Sequence, residues 1–181
     1  MGKFAIASLA LFTSLAFAGP KVEFGTTMGS FTIELNEERA PITVKNFIRY
    51  VEDGSYVGTQ FHRVIPGFMA QGGGFDKEMN MVPTYAPIKN EASNGLKNQA
   101  ATVAMARTND PNSATRQFFI NFVDNNFLDY DQRPPGYAVF GKVTDGFNII
   151  QDMSQKRTHS VGRYRDVPVE PIIITSATLI R

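Results

Sequence analysis

Apolar and polar residues alternate with period two at Val22, Phe24 and Thr26, and again at Phe31, Ile33 and Leu35. With Met28-Gly29 between them, the two runs predict a hairpin with one buried face. At Ala40-Pro41 the period changes. Val44, Phe47, Ile48 and Val51 recur at the i, i+3, i+4, i+7 spacing of one helical face, Pro41 suits a first turn, and Gly54 supplies a stop. From Phe61 to Gly74 the pattern reads as two short strands folded back at Pro66-Gly67, with Pro at the second turn position and Gly at the next. On that alternation Arg63 shares a face with Phe61 and Ile65, while Met69 and Gln71 share a face of the following strand. The triplet Gly72-Gly73-Gly74 leaves room for another backbone to come close.

Phe75 to Asn98 is polar and carries Pro83, Pro87 and Gly95, which predicts a long surface loop. Thr102 to Ala106 is a strand of mostly small residues, and the turn-rich stretch Arg107 to Arg116 follows it. Gln117 to Phe122 carries aromatic residues on both faces of a strand, so both faces are covered. A loop through Phe127-Leu128-Asp129-Tyr130 leads to a strand over Gly136–Val143, and Phe147, Ile150 and Met153 mark a second, shorter helix after Gly146. Arg157 to Pro168 reads as a polar connection, and Ile172 to Ile180 as a closing strand. About eight strands and two helices predict a mainly β domain, a closed eight-stranded antiparallel barrel capped by two α-helices.

Composition narrows the class. The chain has 181 residues, 43% of them hydrophobic and 19% charged, as in ordinary globular proteins. Lys and Arg number 18 against 17 Asp and Glu, so no basic field of the nucleic-acid-binding kind is expected. The start stands apart from the domain. Met1-Gly2-Lys3, the apolar run Phe4–Leu15 and the small-x-small triplet Ala16-Phe17-Ala18 predict a cleaved signal peptide over 1–18, with a single domain over 19–181. The apolar run is too short to span a bilayer comfortably. Export to a bacterial periplasm, with no membrane contact after cleavage, is the expected address. Cysteine is absent, which excludes disulfides, thiolate catalysis and a lipidated N-terminal Cys. No exposed apolar stripe is left over once the faces are assigned, so a monomer is expected.

The usual chemistries find little support. The two histidines, His62 and His159, lack the carboxylate spacing of a metal site, and no nucleophile elbow or phosphate loop occurs. No metal and no cofactor are expected, and His62, alternating with Arg63, reads as a satisfied histidine inside the barrel. What remains is one Arg and one Gln among Phe, Met and Leu, a surface suited to a small apolar ring flanked by peptide groups.

Phe61-His62-Arg63-Val64-Ile65-Pro66-Gly67-Phe68-Met69-Ala70-Gln71-Gly72-Gly73 resembles the signature of the cyclophilin-type peptidyl-prolyl isomerases. Gln117-Phe118-Phe119-Ile120, Phe127-Leu128-Asp129 and Val139-Phe140-Gly141-Lys142-Val143 resemble that family's later motifs, in the same order, and the likeness runs from about Val22 to Ile180. Met105-Ala106-Arg107-Thr108 and Gly136-Tyr137-Ala138-Val139-Phe140-Gly141 bring it nearest to the periplasmic bacterial branch. The resemblance implies catalytic roles for Arg63 and Gln71. It implies a proline pocket from Phe68, Met69, Phe119 and Leu128, and a substrate-backbone contact at Ala106 and Arg107. Phe127 and Tyr137 complete the implied substrate-binding set, and both depart from the eukaryotic pattern, which carries Trp and His there. Without the indole N–H donor, cyclosporin binding is expected to be weak. The implied partners are proline-containing polypeptides. Two other readings compete: a non-catalytic proline-peptide binding module or chaperone, and a structural secreted barrel whose aromatics are all core. A pure binder does not require both Arg63 and Gln71, and a structural barrel leaves them unexplained.

Overall fold

The computed structural model describes residues 19–180. The proposed signal peptide lies outside them. Strands β1 (Lys21–Thr26) and β2 (Gly29–Leu35) form the expected first hairpin, and helix α1 spans Pro41–Glu52 with Pro in its first turn. The second hairpin joins β3 (Arg63–Ile65) to β4 (Met69–Gly72). Then come β5 (Thr102–Met105), β6 (Phe118–Asn121), β7 (Val139–Asp145) and helix α2 (Phe147–Met153). The remaining strands are β8 (Thr158–Val161), β9 (Tyr164–Pro168) and β10 (Ile174–Ile180).

Eight strands form one curled antiparallel sheet in the order β10-β1-β2-β7-β5-β6-β4-β3. Among the described residues no ladder joins β3 to β10, so the sheet is curled and open, not the closed barrel the strand count suggested. Just before each end strand a single bridge, Gln60 to Ile173, spans the gap, with Phe61 N donating to Ile172 O at 2.9 Å and Ile174 N to Thr59 O at 2.8 Å. Arg157–Pro168 differs from expectation as well. It holds a separate two-stranded hairpin, β8 with β9, turning at Gly162. Its strands are largely solvated, so they carry no alternation of apolar and polar residues to betray them.

Side-chain alternation sorts the apolar residues into two clusters. Phe24, Phe31, Phe47, Phe61, Phe118 and Phe140 fill the concave interior, where Phe47 meets Phe140 and Phe118 with ring centroids 4.9 and 5.4 Å apart. The other face of β4, β5, β6 and β7 carries a smaller cluster: Met69, Ala104, Phe119, Leu128 and Val139. Phe118 and Phe119 point to opposite clusters, which is why this strand is aromatic on both faces.

Helix α1 buries Val44, Phe47, Tyr50 and Val51 on the interior. Its own N-cap, Ala40, offers no side-chain acceptor. The carboxylate of Glu91, from the 75–98 loop, accepts Ile42 N at 3.1 Å and Thr43 N at 2.8 Å, satisfying two N–H groups at the positive end of the helix. The long loop is thus fastened to the domain at its far end.

Candidate active site

Register builds the site. Arg63 pairs with Gln71, Gln71 with Phe119, and Phe119 with Ala104, so these four residues form one row across β3, β4, β6 and β5. A second row runs from Ile65 through Met69 to Asn121. Within the first row the side chains share the outer face, and the small Ala104 forms a floor between larger neighbours. A cavity of about 120 Å³ opens there, lined by Arg63, Phe68, Met69, Gln71, Ala106, Arg107, Phe119, Leu128 and Tyr137. Nine of the ten residues singled out in the sequence therefore meet at one cavity. The tenth, Phe127, lies outside the lining. It is 54% exposed and stacks on Phe68 with ring centroids 5.6 Å apart, extending the apolar rim.

The alternation assumed for Phe61 does not hold. The ladder begins only at Arg63; Phe61 turns into the interior cluster while Arg63 and Ile65 face the site. Arg63 is half-buried, and among the described residues its guanidinium has no hydrogen-bond or ion-pair partner. Arg107 is differently placed. Its Nε and Nη2 donate to Gly136 O at 3.0 and 2.9 Å, its Nη1 to Thr108 O at 2.8 Å, and its guanidinium lies 4.4 Å from the Tyr137 ring centroid. The guanidinium of Arg107 thus fixes the Tyr137 wall.

Gln71 Nε2 donates to Gln117 Oε1 at 2.9 Å. The pair leaves Gln71 Oε1 as an acceptor and Gln117 Nε2 as a donor without partners among the described residues. Gln117 was not among the residues singled out in the sequence. Its signals were its place in the stretch Gln117-Phe118-Phe119-Ile120 and the alternation that sets it on the face opposite Phe118. Gly74 makes its position possible, since a Cβ there would stand 2.4 Å from Gln117 Cγ. The close approach foreseen for the glycine triplet is therefore partly that of a side chain.

A buried amide network underlies the apolar wall. Asn125 Nδ2 donates to Phe68 O at 3.0 Å and to Asn121 Oδ1 at 2.8 Å, while Asn125 O accepts Leu128 N at 2.9 Å. One asparagine so ties the turn bearing Phe68, the strand bearing Phe119 and the short helix bearing Leu128.

His62 is buried at 4% exposure but is not the satisfied interior histidine expected. It packs on Phe75 with centroids 4.5 Å apart, Phe75 in turn meets Tyr164 of β9, and the His62 Nδ1 has no partner among the described residues. Burial, with a smaller contribution from Arg63, lowers its pKa to about 4 against a backbone hydrogen bond at Gln60. Among the described residues no group of His, Asp or Glu is arranged to hold a metal ion, and no helix is long and apolar enough to cross a membrane.

An unpaired guanidinium, an amide pair and a ring-sized apolar cavity on an open curled β sheet define a site for peptide groups next to an apolar ring. The model for the family described as cyclophilin type peptidyl-prolyl cis-trans isomerase/CLD matches residues 21–179. Peptidyl-prolyl cis-trans isomerase A of Dickeya dadantii is 53% identical over 156 residues, covering 86% of this chain and 82% of that protein. A Streptomyces antibioticus peptidyl-prolyl cis-trans isomerase is 52% identical over 162 residues, covering 88% and 98%. A Cryptosporidium parvum cyclophilin-type isomerase, solved in the presence of the dipeptide Ala-Pro, superimposes with a TM-score of 0.71 at 26% identity, covering 89% and 99%. The chain belongs to the cyclophilin-type peptidyl-prolyl cis-trans isomerase family and is an enzyme of that class.

Proposed function

We propose that this enzyme isomerises Xaa-Pro bonds in polypeptides folding in the bacterial periplasm, with Arg63 as the catalytic donor. The observation that carries the reading is the unpartnered Arg63 guanidinium at the edge of an apolar cavity. Rotation about a peptide bond meets a barrier of roughly 18–20 kcal/mol because the C–N bond is partly double. At the twisted transition state the nitrogen lone pair leaves the carbonyl and becomes a better hydrogen-bond acceptor. A donor aimed at that nitrogen interacts mainly with the twisted state, which is the condition for raising turnover. Lowering the barrier by roughly 6 kcal/mol gives about a 10⁴-fold acceleration.

Phe68, Met69, Phe119 and Leu128 hold the pyrrolidine ring while the acyl side turns. Gln71 Oε1 and Gln117 Nε2 offer an acceptor and a donor to the N–H and C=O of a neighbouring residue, and the backbone at Ala106 and Arg107 lies along the same wall. The export address rests on the pattern of residues 1–18, and the bacterial branch on Met105–Thr108 and Gly136–Gly141 together with two bacterial relatives at about half identity. The enzyme acts as a monomer and binds cyclosporin weakly.

No step in this scheme moves a proton to or from the enzyme, because Arg63 acts by donating a hydrogen bond. Turnover of an Ala-Pro test peptide is therefore flat from neutral to mildly alkaline pH. A bell-shaped profile there would show that an acid or base takes part and would overturn the mechanism.

A further inference from the structure

The site's charge is one-sided. A second, small cavity adjoins the first at Arg107, which lines both, and is lined by Thr43, Ile88, Lys89, Asn90, Pro111 and their neighbours. Together the two cavities are lined by three cations, Arg63, Arg107 and Lys89, and by no carboxylate. This is a local asymmetry, since the whole chain has 18 basic and 17 acidic residues. The carboxylates on adjoining segments line neither cavity, although Glu91 bonds Thr43, which lines the second. Glu91 caps helix α1, Asp110 accepts Asn112 N, Asp129 accepts Asn98 N, and Asp131 pairs with Lys97. A separate groove of about 750 Å³ is mixed in charge, lined by Glu34, Glu37 and Glu38 together with Lys97 and Lys142. Of the three site cations, Arg107 donates only to carbonyl oxygens, so its charge is unopposed by any bonded anion.

We propose that the site selects Xaa-Pro segments bearing a carboxylate within two residues of the proline, through the charges of Arg63, Arg107 and Lys89, none of them ion-paired among the described residues. The inference rests on the isomerase reading and names the class of client within it. A ring seated on Phe119 and Leu128 brings the flanking side chains of a peptide past these cations. An acidic neighbour is attracted there, and a basic one repelled, without any change in how the ring itself is held. Across solvent-exposed distances the effect is modest and salt-dependent. The expected preference for Glu over Lys is about five- to tenfold in kcat/KM at low ionic strength, falling to about twofold at half-molar salt.

The test uses the full chain and a peptide series in which Glu, Gln or Lys stands in turn at each of the two positions on either side of the proline. Exchange rates between cis and trans are measured at low and high salt. At one position at least, the order Glu, Gln, Lys is expected, and Lys89→Gln should cut the Glu-to-Lys ratio by about half while leaving turnover of the Gln peptides unchanged. Arg107→Gln should cut it further. Turnover of all peptides at equal rates, insensitive to salt, would overturn the charge selection and leave the isomerase reading standing. Failure to turn over even the Gln peptides would overturn both.

Discussion

Replacing Arg116 by Met removes a buried cation of similar length from the centre of a three-way junction. Arg116 is 1% exposed, and its guanidinium donates to Gly73 O and Pro83 O at 2.6 Å and to Ser55 O at 2.5 Å. It sits 4.9 and 5.4 Å from the ring centroids of Tyr50 and Tyr56, and burial draws its pKa below the ordinary arginine value. Arg116 therefore joins the end of α1, the strand behind Gln71 and the start of the 75–98 loop. Hydrogen bonds from a charged donor are worth about 1.5–3 kcal/mol each, and the Met variant leaves three carbonyls short of a partner. Against this, the variant no longer desolvates a cation, which recovers several kcal/mol. The net loss is about 3–5 kcal/mol, a large part of the 5–15 kcal/mol typical of a domain. Urea unfolding of both proteins reads it directly: the midpoint should fall with the slope unchanged. Arg116→Lys, with one compact ammonium for three separated carbonyls, should recover no more than about a third of the loss. A loss below about 1 kcal/mol for the Met variant would mean that the three segments are held without this tie, and would refute the reasoning.

Stability should also fall in acid through His62. Its folded pKa, about 4, lies below the unfolded value near 6.5, so the unfolded chain takes up the proton first; stability is complete above pH 6.5 and drains away as pH falls towards 4, by on the order of 3 kcal/mol. His62→Phe should flatten that limb in a pH series of unfolding midpoints, and an unchanged limb would assign it to other groups. Asn125→Ala leaves Asn121 Oδ1 without its Asn125 donor and frees the turn bearing Phe68, so KM for an Xaa-Pro peptide should rise about tenfold while kcat falls less; an unchanged KM would detach the amide network from the pocket. Phe127→Trp supplies an indole N–H beside Phe68, and cyclosporin titrated against both proteins should bind the variant at least about tenfold more tightly. Equal affinities would show that the missing donor is not what weakens binding.

Both helices and the strands β1 and β2 were readable because each buries one face, and burial writes a period into the chain. Strands β5 and β6, buried on both faces, were readable as short apolar runs between turn signals. The β8–β9 hairpin was not readable, because Val167 and Pro168 are its only well-buried residues and no alternation results. The open sheet was not readable either: whether β3 and β10 share a ladder or a single bridge depends on curvature, which leaves no local pattern. At the site, Arg63 and Gln71 stood out as polar residues among large apolar ones. Gln117 did not, because one more amide beside a loop looks like an ordinary surface residue until register sets it against Gln71. Arg116 was hidden for the opposite reason. A cation at a loop's end reads as solvated, and only the folded chain brings three carbonyls from 43, 33 and 61 positions away to surround it. Phe127 was placed beside the right residues, but a short helix turns its ring onto the outside of Phe68.

The donation from Arg63 to the twisted nitrogen is tested most directly by exchange spectroscopy on a short Ala-Pro peptide, recorded with the parent protein and with Arg63→Ala at peptide saturation. The mechanism predicts that the variant keeps its fold and still shifts the peptide's resonances on binding. Its cis–trans exchange rate should fall by about 10²–10³-fold, the loss expected when a donor serves mainly the transition state. A folded variant that binds the peptide and exchanges it at the parent rate would remove Arg63 from the mechanism.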